Sequence, residues 1–315
     1  MSSTNELHVI FGTGPVGLAI MDELLVRGKR IRMVNRSGKT TAGVAPEVEV
    51  VAGDATNPES TRKVSKGASV VYNALNAPNY EQWASQFPPL QKGVLEGAAH
   101  AGAKLVVMEN VYMYGATGGR PLTEDLPYLA KGARGKTRAI LAQALQAAHA
   151  AGKVRVVSGR AADFFGPRVL QSAAGAQVFR AALTGGKAQV MVSAEHLHTF
   201  TYMPDIGKGL VILGENEAAF GQAWHLPSYQ TLTTRHFLKL VYEETGRAAN
   251  IQVAPKLLMQ AMGLFVPPVR GISELFYEFE EDFVVDHRKF EGTFGNHATP
   301  LRDAIRTTLA WYREN

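Results

Sequence analysis

Short apolar runs alternate with amphipathic stretches through the first half of the chain. Residues 7–11, 30–35, 48–52, 69–74, 104–108 and 154–158 are brief and rich in Val and Ile. Between them, residues 15–27, 58–66, 89–101 and 136–150 carry apolar positions at helical spacing. Strand, crossover helix, strand, repeated in this way, predicts an α/β fold: a doubly wound parallel sheet covered on both faces. In such sheets the ligand sits outside the carboxyl ends of the strands, where the strand order reverses.

Beyond about residue 166 the spacing turns helical and irregular, with loops at 193–198 and 267–271 and an aromatic, acidic stretch at 269–283. The expected organisation is a Rossmann-type dinucleotide-binding domain over residues 1–165 and a smaller, mainly helical substrate or cap domain over 166–315. Two strand-like stretches, 200–202 and 223–226, suggest that about 199–227 rejoins the main sheet.

Composition narrows the function classes. The chain has 315 residues and no cysteine, which excludes a disulfide framework, a thiolate nucleophile and a cysteine-held metal. The net charge of +5 is spread along the sequence rather than gathered with aromatics, so no nucleic-acid partner is expected. The polar residues 1–6 and the lack of a long apolar run predict no signal segment and no membrane span, hence a cytoplasmic protein.

The chemistry begins at Gly12-Thr13-Gly14-Pro15-Val16-Gly17, which follows an apolar run and opens a helical pattern. That context makes G-x-G-x-x-G informative. Gly12 permits the tight turn, Gly14 lets the backbone approach a pyrophosphate, and Gly17 lets helix and strand pack closely. Pro15 suits the first helical position, and the free amides and dipole of the helix face the phosphates. The second run ends in Asn35-Arg36-Ser37-Gly38-Lys39 with no carboxylate among them. An acidic residue there would bind a ribose 2′-hydroxyl and repel a 2′-phosphate. Arg36, helped by Ser37 or Lys39, suits the phosphate instead, so NADP(H) is favoured over NAD(H).

Several segments, in order along nearly the whole chain, resemble the extended short-chain dehydrogenase/reductase superfamily, the group of NAD-dependent epimerases and dehydratases. Besides the glycine turn they are Gly53-Asp54-Ala55, Asn73-Ala74-Leu75, Asn110 through Gly115, Arg160 through Pro167, and Phe200 through Ile206. The resemblance implies an adenine contact at Asp54 and Ala55, and a segment at Asn73, Ala74 and Leu75 that runs under the cofactor. It also implies a catalytic Tyr and Lys four residues apart, which a helix places on one face, and a Ser or Thr on the preceding strand. Counting back from Arg160, Lys136 matches the Lys, Gly132 stands at the Tyr, and Asn110 at the Ser or Thr. The chain therefore reads as an atypical member.

Three readings stay open. Another residue replaces the Tyr, with Tyr112 first and Tyr114 or Tyr128 behind it. Or hydride transfer takes its proton from water or substrate while Asn110 orients a carbonyl. Or catalysis is gone, and the fold senses nucleotide or binds a partner. Phe165, Arg168 and His198 are expected on the substrate side, Arg168 for an anionic group and His198 as an acid or base. The apolar stretch 264–283 is expected to form a cap core, an interface or a substrate pocket. Glu195, His196 and His198 supply too few ligands for a metal. The expected partners are a small-molecule substrate and, by the resemblance, a second copy of the chain.

Overall fold

The computed structural model describes residues 6–264 and 271–315. The chain divides into two compact units: residues 1–110, 136–160 and 206–226, and residues 111–135, 161–205 and 227–315.

The first unit is built on seven strands: β1 Leu7–Phe11, β2 Arg30–Asn35, β3 Glu49–Ala52, β4 Ala68–Asn73, β5 Lys104–Glu109, β6 Val156–Arg160 and β11 Ala223–His225. They form one sheet in the order β11-β6-β5-β4-β1-β2-β3. Every pairing is parallel. The order reverses between β1 and β4, where Phe11 stands opposite Asn73. Both strand ends therefore open at the switch point where such sheets bind ligands. Helices α1 Pro15–Val26, α2 Pro58–Ser65, α3 Trp83–Ala101 and α4 Ala133–Ala150 provide the crossovers. Val9, Phe11, Val71, Leu105 and Val107 pack with Val94, Ala98 and Leu145 in one apolar cluster. This is the Rossmann-type α/β fold that the periodicity predicts.

Some boundaries differ from the sequence pattern. The sixth strand runs two residues later than the Val-rich run suggests, because Arg160 is buried beside Glu109 instead of ending the strand in solvent. Helix α3 begins six residues earlier and holds Pro88 and Pro89 inside it. Two lost amide donors there are offset by packing: Trp83 and Phe87 are both buried, 4.9 Å apart edge to face, with the Arg138 guanidinium 4.1 Å from the Phe87 ring centre.

The second unit mixes helices with two-stranded ribbons. Strands β7 Asp163–Phe165 and β10 Phe200–Tyr202 pair in parallel, as do β8 Ala188–Met191 and β13 Ile251–Ala254, while β9 Leu197–His198 and β12 Leu232–Thr233 pair antiparallel. Its core gathers Phe165, Phe179, Tyr202, Phe237, Ile305 and Tyr312. Within this unit strand content is higher than the sequence pattern suggests, because the ribbons are too short to show a period. Among the described residues no helix is long and apolar enough to cross a membrane.

Candidate active site

In the first unit, β1 delivers the chain to Gly12, whose φ of +114° is open only to glycine. The Gly12 amide bonds to the Val34 carbonyl at 3.0 Å, and a Cβ on Gly12 would stand 2.9 Å from the Ala74 carbonyl oxygen. A Cβ on Gly17 would collide with the Gly12 carbonyl, so α1 lies directly on the turn. Gly14 differs from both. It caps α1 in an extended conformation, and among the described residues no side chain caps the first-turn amides and no atom lies within 4 Å of where its Cβ would be. Pro15 follows at the first helical position and Val16 is half-buried. Free amides, a helix dipole and open space above Gly14 fit a pyrophosphate.

The loop after β2 is organised by one side chain. Asn35 Oδ1 accepts hydrogen bonds from the Ser37 amide at 3.1 Å, the Ser37 hydroxyl at 3.2 Å and the Gly38 amide at 2.7 Å, and Asn35 Nδ2 donates to the Lys39 carbonyl at 2.9 Å. Arg36, Ser37 and Lys39 are exposed on this turn. Asn35 is thus a brace for the loop. The structure adds a neighbour that the local sequence does not show. Asp54, just past β3, is held below the usual carboxylate range by the Thr56 hydroxyl and amide, and in smaller part by the Arg36 charge. Ala55 is buried, and Asn73 Oδ1 receives the Leu75 amide at 3.2 Å, turning the chain at the end of β4.

Asn110, half-buried, follows Glu109 at the end of β5, and Lys136 is exposed on α4. Below Asn110 lies a buried ion pair: Arg160 Nε donates to Glu109 Oε2 at 3.1 Å, both side chains 1% exposed. The local sequence gives no sign of this pair. The register Glu109↔Arg160 aligns it across two strands fifty residues apart in the chain.

In the second unit, the segment after Asn110 is a turn: the Tyr114 amide bonds to the Val111 carbonyl and the Gly115 amide to the Tyr112 carbonyl. Tyr114 is buried edge to face with Tyr128, their ring centres 5.8 Å apart. Tyr112 stays half-buried. A side chain at 132 would run into the Glu274 carboxyl, which pairs with Arg134 at 2.7 Å.

Phe165, expected at the substrate, is 1% exposed and fixed among Phe179, Tyr202 and Phe237. Arg168 occupies the third position of a turn closed by the Val169 amide on the Gly166 carbonyl, with Pro167 second and a φ of +70° at Arg168. That is the position where such turns favour glycine. His198, expected on an open loop, is buried in β9. Glu195 pairs with Arg235 and His196 with Asp282, and the described residues hold no cluster suited to a metal. Part of the apolar stretch 264–283 lies outside the described residues. Of the rest, Leu264 is exposed, whereas Leu275, Phe276, Phe279 and Phe283 are buried. A cavity of about 380 Å³ beside this stretch is lined by Met259, Phe276, Tyr277 and the Lys256–Glu280 ion pair.

A model of the NAD dependent epimerase/dehydratase family matches residues 9–225. No curated protein sequence matches the chain. Among solved structures, a dTDP-glucose 4,6-dehydratase from Bacillus anthracis in complex with NAD superposes with a TM-score of 0.80 at 14% identity, covering 98% of this chain and 97% of that one. A UDP-N-acetylglucosamine 4-epimerase from Methanobrevibacter ruminantium, in complex with UDP-N-acetylmuramic acid, gives 0.80 at 14% identity over 98% and 99%. A Thermus thermophilus UDP-glucose 4-epimerase in complex with NAD gives 0.75 at 18% over 98% and 99%. At these identities the likeness is one of fold.

Proposed function

Since the chain belongs to the NAD dependent epimerase/dehydratase family, we propose that it is an NADP(H)-dependent oxidoreductase or epimerase-like enzyme acting on a small carbonyl or hydroxyl substrate. The observation that carries this reading is the glycine turn, closed against side chains at Gly12 and Gly17 and open at Gly14. When bound, the nicotinamide supplies or accepts hydride.

The remaining roles belong to the chain's own residues. The α1 amides hold the pyrophosphate. Arg36, with Ser37 and Lys39, holds the 2′-phosphate on the loop that Asn35 braces. Asp54 and Ala55 border the adenine, and Asn73, Ala74 and Leu75 run under the dinucleotide. Lys136 holds the ribose. Asn110 orients the substrate oxygen, Tyr112 exchanges a proton with it, and Arg168 meets an anionic substituent.

A second reading, a nucleotide sensor without catalysis, is favoured by Glu274, which fills the space a side chain at position 132 would need. Turnover separates the two. NADPH oxidation and NADP⁺ reduction are followed with a panel of aldehydes, ketones and alcohols, while UDP-glucose and dTDP-glucose are analysed for epimerised or dehydrated product, because an epimerase regenerates its cofactor and leaves no net NADPH change. Turnover of any member that falls in Tyr112→Phe supports the enzyme. Tight NADPH binding with no turnover across the panel supports the sensor.

A further inference from the structure

His198 ends β9 with 1% of its surface exposed, its ring centre 4.5 Å from that of Phe200 and 5.0 Å from those of Phe279 and Phe283. Its Nδ1 lies 3.1 Å from the Glu278 carbonyl oxygen, and its Nε2 lies 3.1 Å from Asp163 Oδ2 at the start of β7. A carbonyl oxygen only accepts, so Nδ1 carries a hydrogen. A neutral ring would then turn the Nε2 lone pair toward the carboxylate lone pairs. The second contact is attractive only when one more proton lies between them.

We propose that Asp163 and His198 form a proton-operated clasp, closed while His198 is an imidazolium and opened when that proton leaves. The clasp joins β7, β9 and the segment 278–286. Charged and titratable groups face it from several packed elements. On the 273–280 segment, burial and the Asp163 charge push the Glu278 carboxyl well above the usual carboxylate range, so it adds no competing negative charge. The Tyr277 hydroxyl is hydrogen-bonded to Glu278 and feels Glu274 behind it. Beside β9, His196 and Asp282 face each other. On the remaining side, Thr199 bonds to Thr231 and Thr201 to Ser228, all uncharged. Asp163, its side chain 18% exposed, is the member through which the proton reaches solvent.

The clasp bears on more than its own contacts. The segment it holds bonds onward: Glu281 accepts the Thr117 and Gly118 amides, and the Leu122 amide meets the Val284 carbonyl. This loop continues directly from Tyr112–Gly115, so opening the clasp loosens the segment that carries Tyr112. The consequence for catalysis rests on the function proposed above; the clasp itself does not.

The test uses the full chain labelled with ¹⁵N-histidine, together with amide hydrogen exchange of residues 278–286. The His198 signals are identified by their loss in His198→Gln. Both ring nitrogens are expected to carry protons at the acid end of a titration from about pH 6 to 9. Protection factors of 278–286 are expected to fall as the pH rises toward the His198 midpoint, by at most tenfold per pH unit, and to level off above it, as one linked proton requires. In Asp163→Asn the side-chain amide donates to Nε2, so the clasp stays closed with a neutral ring and protection no longer follows pH. A neutral His198 in the wild type throughout the titration overturns the proposal. So do wild-type protection factors that ignore pH, a result that needs no variant.

Discussion

The Cβ that Gly12 lacks would stand 2.9 Å from the carbonyl oxygen of Ala74. That distance ties the end of β1 to the end of β4 at the point where the sheet reverses its order. It also separates two kinds of glycine in one turn. Gly12 and Gly17 are required by the protein's own packing. Gly14 has an ordinary backbone conformation and open space before it, so its lack of a side chain serves what binds there.

Substitutions at the three glycines should therefore behave differently. Gly12→Ala and Gly17→Ala are expected to lower stability by roughly 2 kcal/mol or more, through strain and backbone collision. Gly14→Val is expected to keep its melting temperature within about 2 °C while losing NADPH binding. Thermal denaturation beside equilibrium dialysis checks both. Undiminished NADPH binding by Gly14→Val would refute the placement of the pyrophosphate.

The turn at Arg168 offers a second test of backbone geometry. Arg168→Gly and Arg168→Ala both remove the guanidinium, but only Ala keeps the cost of a φ of +70°. The glycine variant should be the more stable of the two by about 1 kcal/mol. If both variants lose turnover to the same degree, the side chain and not the turn serves the substrate. Urea denaturation and steady-state rates supply the two readings.

His8 sets an acid limit. It is fully buried on β1 with Nδ1 3.2 Å from the Tyr72 hydroxyl, and its Nε2 has no hydrogen-bond partner among the described residues. Burial, with the Lys29 charge behind it, pushes its pKa down to about 4 from 6.5. Between those values the unfolded chain binds a proton that the folded chain refuses. Stability from this residue is therefore intact above pH 6.5 and falls as the pH drops toward 4, by roughly 3 kcal/mol in all. The double variant His8→Leu, Tyr72→Phe removes both polar partners and should flatten that part of the stability–pH curve. An unchanged slope between pH 4 and 6.5 would rule His8 out as its source.

Much of the first unit is legible in the sequence, because β1 is an apolar run that ends in Gly12 and short strand-like runs alternate with helical stretches along it. The glycine turn is legible because its context is local. The features that are not legible depend on distance along the chain. Arg160 falls outside the Val-rich run at 154–158, and only its pairing with Glu109 accounts for its place at the buried end of β6. His198 looks like a loop residue until Asp163, thirty-five positions earlier, and Glu278, eighty later, close around it. Asp54 reaches the Arg36 loop only because β3 pairs with β2. The backbone hydrogen bonds that curl the segment of Tyr112 and Tyr114 into a turn have no signature in the local sequence.

The central claim, a dinucleotide site tuned to a 2′-phosphate, is tested most directly by calorimetric titration of the wild type and Arg36→Ala with NADPH and NADH. Removing a charge-assisted hydrogen bond between Arg36 and the phosphate corresponds to about tenfold or more in affinity. The wild type should bind NADPH at least about tenfold more tightly than NADH, and Arg36→Ala should lose that preference while its NADH affinity stays unchanged. Equal wild-type affinity for the two cofactors, or a preference that survives in Arg36→Ala, would contradict the account.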